Sequence, residues 1–258
     1  MMRTTASTAP VAQAPALAGA PVALRHGQQT ASQSRRPWLV PGLLVLFSIV
    51  PAFGGVARLN DLATGAEVTA DTARFFDAPW PIVIHIPAAL IYSILGAFQF
   101  TPALRRRHTW HRRAGRLLLP IALIVAITGL WMTVTYRWPD HDGLGVYLER
   151  LVVGTVMLWA LWQGIVALRR RQFATHGEWM IRAYALGMGA ATQVLTHLPW
   201  FVLVDLHPGR LPRMIMMGSG WVINALVAEW IIRRGRGRAA GRVAPVQRPR
   251  IGELAGAA

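Results

Sequence analysis

"PIVIHIPAALIYSILGAFQFTPALRRRHTWHRRAGRLLLPIALIVAITGLWMTVTY", residues 81–136, places an arginine-rich turn between two apolar blocks. Each block has about the 20 residues that a helix needs to cross the hydrocarbon core of a bilayer. The turn at residues 105–116 holds six arginines and two histidines. This stretch therefore predicts two membrane-spanning helices that are joined by a short basic turn.

The same pattern of apolar blocks recurs along the chain. Hydrophobic residues make up 53% of the sequence and charged residues only 15%, which is too little charge to cover a soluble domain. The blocks mostly lack the polar face of a soluble amphipathic helix. We therefore predict an all-α, polytopic membrane protein with six transmembrane helices in a bundle, at Trp38–Ala57, Pro81–Phe100, Leu117–Tyr136, Leu151–Leu168, Ala183–Val204 and Met214–Ile232.

The segments outside the blocks differ from them in composition. Residues 1–36 are rich in Ala, Thr, Ser, Gln and Pro without apolar periodicity, which predicts a disordered N-terminal tail. Residues 233–258 are rich in arginine, glycine and alanine, which predicts a basic disordered C-terminal tail. The predicted transmembrane domain spans residues 37–232.

The basic residues predict how the helices are oriented. All 27 basic residues are arginine, and the net charge is +16. Arginines cluster before the first block, at 105–116, at 169–171 and at 233–238, whereas loops 58–80 and 137–150 hold more acidic residues than arginines. The positive-inside rule then places both termini in the cytoplasm of a bacterial inner membrane. Anionic lipid head groups are the expected partners of these arginines, and we expect no nucleic acid to bind.

The histidines in and beside the predicted helices form two layers. His85 and His197 are expected roughly 6 Å and 9 Å below the outer membrane edge, at 1.5 Å of rise per residue. Near the cytoplasmic side, His111 (or His108) precedes the third helix and His176 precedes the fifth. The "THGE" spacing at 175–178 is typical of a capping box, which predicts that His176 and His197 share one continuous helix.

Two imidazoles from facing helices are what bis-histidine haem requires, and the chain has no cysteine to supply a thiolate ligand. We therefore expect haem b bound by His85 with His197 and by His111 with His176, for electron transfer to a redox partner. Membrane-embedded histidines are costly and usually functional.

Arginines near the inner face are expected to assist this site, with Arg116 and Arg182 pairing with haem propionates. The alternatives are a non-haem transporter or scaffold whose histidines hydrogen-bond or titrate, and a histidine-bound metal ion without porphyrin. Two further expectations concern packing. Glu229 is predicted to form an interfacial ion pair, and the glycines of "GMGAAT" and "GSG" are predicted to allow close helix contact.

Two motifs resemble a known family. The first joins His85, the element "GAFQF" at 96–100, the arginines 105–107, and His111 shortly before Gly115-Arg116. The second is "HGEWMIR" at 176–182. Together they resemble the bacterial predicted-membrane-protein family DUF2306, the domain of unknown function 2306, over about residues 80–200. The resemblance implies a membrane protein and singles out His85, His111 and His176, and it implies no particular activity.

Overall fold

The computed structural model describes residues 38–101, 104, 107–205 and 207–243. The predicted N-terminal tail at 1–36 and residues 244–258 of the predicted C-terminal tail therefore lie outside the described residues. The described chain is folded into eight helices: α1 (Leu39–Thr64), α2 (Ala73–Asp77), α3 (Pro79–Gln99), α4 (His108–Thr135), α5 (Gly143–Arg169), α6 (Phe173–Gly187), α7 (Gly189–Leu203) and α8 (Arg210–Val243).

Five helices, α1, α3, α4, α5 and α8, are long and apolar enough to cross a membrane. Large apolar side chains such as Phe53, Val152 and Leu226 are exposed on their outer surfaces. Apolar exposure on this scale is typical of helices that face lipid. The prediction of an all-helical, multi-pass membrane protein is therefore confirmed, with five such helices in the described residues.

The fifth predicted block is interrupted rather than continuous. A turn at Met188 separates α6 from α7, so the prediction that His176 and His197 share one unbroken helix is wrong. The carbonyl of Ala185, just before the turn, accepts a hydrogen bond from Asn224 Nδ2 of α8 at 2.9 Å. In a continuous helix that carbonyl would accept the backbone N–H four residues later. A contact from a distant helix thus replaces a bond of the helical ladder.

The start of α6 also differs from the prediction. Gln172 is the N-cap residue of α6, and it makes no side-chain capping hydrogen bond. Thr175 therefore lies inside the first turn and does not begin a capping box. Glu178, the predicted reciprocal partner, instead forms an ion pair with Arg236 of α8.

Six helices of the described chain pack in a ring around α6. Neighbours in the ring are α1 with α3, α3 with α4, α4 with α5, α5 with α8, α8 with α7 and α7 with α1. α6 contacts α3, α4, α5 and α8. The buried core joins apolar side chains of α3 to α7, among them Tyr92, Leu118, Leu161 and Ala183.

Glycines let side chains of neighbouring helices approach the backbone, as predicted. A Cβ at Gly189 would lie 2.0 Å from Trp221 Nε1, and one at Gly220 would lie 2.8 Å from Gln193 Cγ. Gly65 has a left-handed φ of 65° where α1 ends, a conformation that glycine adopts without steric cost.

The last helix is longer than the sixth predicted block. α8 continues to Val243, through residues 233–243 of the segment that was predicted to be disordered. Arg236 lies on this extension and pairs with Glu178, which anchors the extended part of α8 to the start of α6.

Candidate functional site: an interhelical cavity with an arginine-lined mouth

A cavity of about 480 Å³ lies inside the bundle, within the size range of small-molecule sites. It extends from residues 136–139, in the loop after α4, to Ser48 and Met188 near the middle of the bundle. Its inner wall is mostly apolar, with side chains from α3 to α6 that include Ile82, Ile86, Leu90, Val125, Ala126, Val153, Met157 and Leu186. At the loop end Trp138 and Arg137 are exposed, so the cavity opens there.

His85 is the histidine that lines this cavity. Its Nδ1 lies 2.8 Å from Thr128 Oγ1 on α4. The Thr128 hydroxyl donates its single hydrogen to the Ile124 carbonyl at 2.6 Å, a back-bond that is common for threonine in helices. Thr128 therefore accepts from His85, and the Nδ1 of His85 carries the proton. With its proton on Nδ1, the His85 ring has Nε2 as the nitrogen that can accept a hydrogen bond or bind a ligand.

Two other predicted histidines are held in the same tautomer. His176 Nδ1 donates to the Gly164 carbonyl of α5 at 2.9 Å, and His197 Nδ1 donates to the Gln193 carbonyl at 2.7 Å. A carbonyl can only accept, so Nδ1 is protonated in both rings. His197 is only 6% exposed, and its buried Nε2 has no hydrogen-bond partner in the described structure.

A buried carboxylate organises the mouth of the cavity. Asp142 is only 3% exposed, and its Oδ2 lies 2.7 Å from Arg150 Nη1. Its Oδ1 accepts a hydrogen bond from Arg213 Nε, which joins the starts of α5 and α8. Burial alone would raise the pKa of Asp142, but the positive charges of Arg150 and Arg213 and their hydrogen bonds bring it below its ordinary value.

Arg74 lines the mouth beside this pair. Its guanidinium Cζ lies 4.5 Å from the centroid of the Phe75 ring, and burial lowers its pKa from the usual value. Sequence reasoning missed Arg74, Asp142 and Arg150 as site residues, because it used them only to assign loop charge. The signal that could have found them is the presence of arginines in the acidic loops, where the positive-inside rule does not require any.

The remaining predicted residues lie toward the other end of the bundle. Arg182 makes a two-pronged ion pair with Glu229, with Nε to Oε1 at 2.5 Å and Nη2 to Oε2 at 3.1 Å. The predicted ion pair of Glu229 is thus confirmed, with Arg182 as its partner, and its position at the membrane interface stays a prediction. Arg116 is exposed on α4, and His111 is half-buried in the first turn of α4. The side chain of His108 lies outside the described residues.

The predicted outer pair, His85 with His197, is not joined by a contact in the described residues. His85 packs toward α4, whereas His197 contacts Gln193 and Phe201 of its own helix. No hydrogen bond or ring contact joins His85 to His197 in the described chain. Among residues 38–101, 104, 107–205 and 207–243, no group of three or more His, Asp or Glu residues is arranged to hold a metal ion. Ligation by histidine pairs therefore stays a prediction.

The fold and the cavity together define a multi-pass helical membrane protein with an internal ligand-sized space. Residues 82–232 match the family described as predicted membrane protein DUF2306. Because this match covers more than half of the chain, the protein belongs to that family. The match extends further toward the C-terminus than the motifs at 80–200 indicated. Comparisons with curated proteins and with solved structures found no match.

Proposed function

We propose that the protein binds a small molecule in the interhelical cavity and contacts it through Nε2 of His85. The observation that carries this proposal is the position of His85 on the wall of a 480 Å³ cavity. Its Nδ1–H donates to Thr128, which leaves Nε2 as the ring nitrogen that can contact a ligand. A histidine in a span is costly, so a fixed one beside a ligand-sized space is best explained by a ligand.

Filling the cavity next to His85 tests the proposal. A Cβ at Gly129 would lie 3.6 Å from His85 Cε1, whereas a Cβ at Gly115 on the same helix would meet nothing within 4 Å. Native mass spectrometry of detergent-purified protein should show a bound small molecule in the wild type and in Gly115→Leu, and none in Gly129→Leu. Equal retention in both variants would contradict the proposal.

We further propose that α6 and α7 together make a sixth membrane crossing. His176 at the start of α6 bonds Gly164 near the end of α5, while Thr196 in the middle of α7 bonds the Met216 carbonyl near the start of α8. The α6–α7 pair therefore runs from one end of the bundle to the other. Six crossings put both termini on the arginine-rich side, which is the cytoplasmic side of a bacterial inner membrane by the positive-inside rule.

Cysteine accessibility tests this topology cleanly, because the chain has no cysteine of its own. Exposed positions Ala70, in the loop after α1, and Arg170, after α5, provide one probe for each face. In intact cells, a membrane-impermeant thiol reagent should label Ala70→Cys and spare Arg170→Cys until the membrane is opened. Labelling of both or the reverse order would refute the orientation.

Haem b is the second candidate, favoured by the tautomers of His176 and His197. Histidines that ligate a metal usually donate their other ring N–H to a carbonyl or carboxylate, as both of these do. In this proposal His85 with His197 and His111 with His176 hold the iron, and haem supplies one-electron transfer across the membrane. Arg182 is engaged by Glu229, which leaves Arg116 as the exposed arginine of the two predicted for propionates.

A visible difference spectrum decides between these two candidates. Protein purified from cells supplied with a haem precursor should show reduced-minus-oxidised haem bands if the second candidate holds. His85→Ala and His197→Ala should then each weaken the bands, whereas His207→Ala, in an exposed loop, should leave them intact. Absence of haem bands from the wild-type protein would eliminate electron transfer by haem and leave non-haem ligand binding.

A further inference from the structure

Arginines at the mouth of the cavity are not explained by membrane topology. They lie at the end of the bundle formed by residues 65–78, 136–142, 204–205 and 207–209, opposite the arginine-rich segments. Arginines normally avoid that side of a membrane protein. Three of them, Arg74, Arg137 and Arg150, nevertheless line one cavity.

The charges at the mouth do not cancel. Asp142 is the acidic residue that lines the cavity, and it is already shared by Arg150 and by Arg213 from outside the cavity. Arg74 makes no ion pair in the described structure and rests on the Phe75 ring. Arg137 is exposed at the opening, and it too lacks an ion-pair partner within the described ranges. The mouth therefore carries excess positive charge directly above an apolar interior.

Arg58 provides a natural comparison. It also lies over the Phe75 ring, at 4.8 Å, but it is paired with Asp61 at 3.1 Å and does not line the cavity. Two arginines thus share one aromatic ring, and only Arg74, which has no carboxylate within ion-pair distance among the described residues, lines the cavity. Asp142 and Asp71 attract its charge from farther away.

We propose that the cavity takes a single-chain amphipathic molecule with an anionic head, with the head at Arg74 and Arg137 and the apolar tail reaching past His85. This inference deepens the proposed function and rests on it. Arginine suits the role because its planar fork pairs with carboxylate and phosphate groups. The apolar lining between Ile82 and Met157 suits an alkyl chain and offers little to a wholly polar anion.

Equilibrium binding of palmitate to the full-length protein in lipid nanodiscs tests the proposal. Hexadecanol supplies the same tail without the charge, and hexadecyl phosphate distinguishes a phosphate head from a carboxylate. Palmitate or hexadecyl phosphate should bind more tightly than hexadecanol. Arg74→Gln should weaken binding of the anions by about tenfold or more and leave hexadecanol unchanged, since a charge-assisted hydrogen bond is lost. Arg58→Gln should have no effect on any of the three.

Two results would overturn the proposal that the ligand has an anionic head group. One is equal affinity for palmitate, hexadecyl phosphate and hexadecanol, and the other is an equal loss of anion binding in Arg74→Gln and Arg58→Gln. Two other results would instead show that the proposed cavity site itself is wrong. In one, none of the three probes binds; in the other, hexadecanol binds equally well to the wild type and to Gly129→Leu, whose added side chain should fill the cavity.

Discussion

Replacement of Asp142 by asparagine should destabilise the protein by about 2–4 kcal/mol. The carboxylate is 3% exposed and meets two arginines, at 2.7 Å for Arg150, and their side chains are 34% and 22% exposed. Breaking a fully buried ion pair from one side costs roughly 3–5 kcal/mol, and partial exposure of both arginines reduces that figure. Asparagine keeps one acceptor oxygen but leaves Arg150 and Arg213 without their shared countercharge.

Unfolding in mixed micelles by SDS titration measures this free energy. Asp140→Asn is the matched control, because it removes the same charge two residues away from an exposed side chain. Its cost should stay below about 0.5 kcal/mol. If Asp142→Asn costs no more than Asp140→Asn, the ion-pair network does not stabilise the mouth and the reasoning fails.

The same variant has a pH signature. Because the pKa of Asp142 is lowered in the folded protein, its ion pairs stabilise fully above the ordinary aspartate pKa of about 3.9. That stability is lost as the pH falls through the folded pKa. The stability gap between wild type and Asp142→Asn should therefore persist at pH 6 and shrink below about pH 4. A gap that does not change with pH would contradict an ionised Asp142.

Two further predictions concern packing and charge. A Cβ at Gly96 would lie 2.5 Å from the Tyr184 ring, so Gly96→Ala should cost about 1–3 kcal/mol in the same SDS titration. Gly115→Ala, in open space, should be neutral or stabilising by up to about 1 kcal/mol, and equal effects would refute the steric argument. Arg182→Glu and Glu229→Arg should each lower stability, and the double variant should recover part of the loss, whereas purely additive losses would show that the pair is not coupled.

The helices could be predicted from sequence because lipid imposes a local rule. A span must be apolar along its whole length, so both boundaries of α3 and the C-terminal end of α5 follow closely from composition. α5 begins at Gly143, eight residues before its predicted block, because its first turns are not uniformly apolar. The turn at Met188 could not be predicted in this way. At this turn the Ala185 carbonyl accepts a hydrogen bond from Asn224, which lies on another helix. The composition of residues 183–204 alone cannot predict a hydrogen bond from a residue outside that block.

His85 could be predicted as a site residue from the sequence, whereas the residues at the mouth of the cavity could not. His85 stood out because an imidazole in an apolar block is rare, and the structure places it on the cavity wall. The mouth is assembled from Arg74, Asp142 and Arg150, which come from α2, the loop after α4, and α5. Each looks like an ordinary loop or helix-end charge in the sequence. Their convergence is a product of tertiary packing, as is the choice of Arg182 as the partner of Glu229.

We infer that the cavity is open at the mouth lined by Arg74 and Arg137 and that it admits an anionic amphiphile. Ala89 lines the cavity, whereas Ala97 on the same helix is completely buried in packed core. In right-side-out vesicles, an externally added anionic thiol reagent should modify Ala89→Cys and not Ala97→Cys, and palmitate added first should slow the reaction. Two results would contradict the account. In one, Ala89→Cys reacts no faster than Ala97→Cys; in the other, Ala89→Cys reacts only when the reagent is on the predicted cytoplasmic side, opposite the mouth.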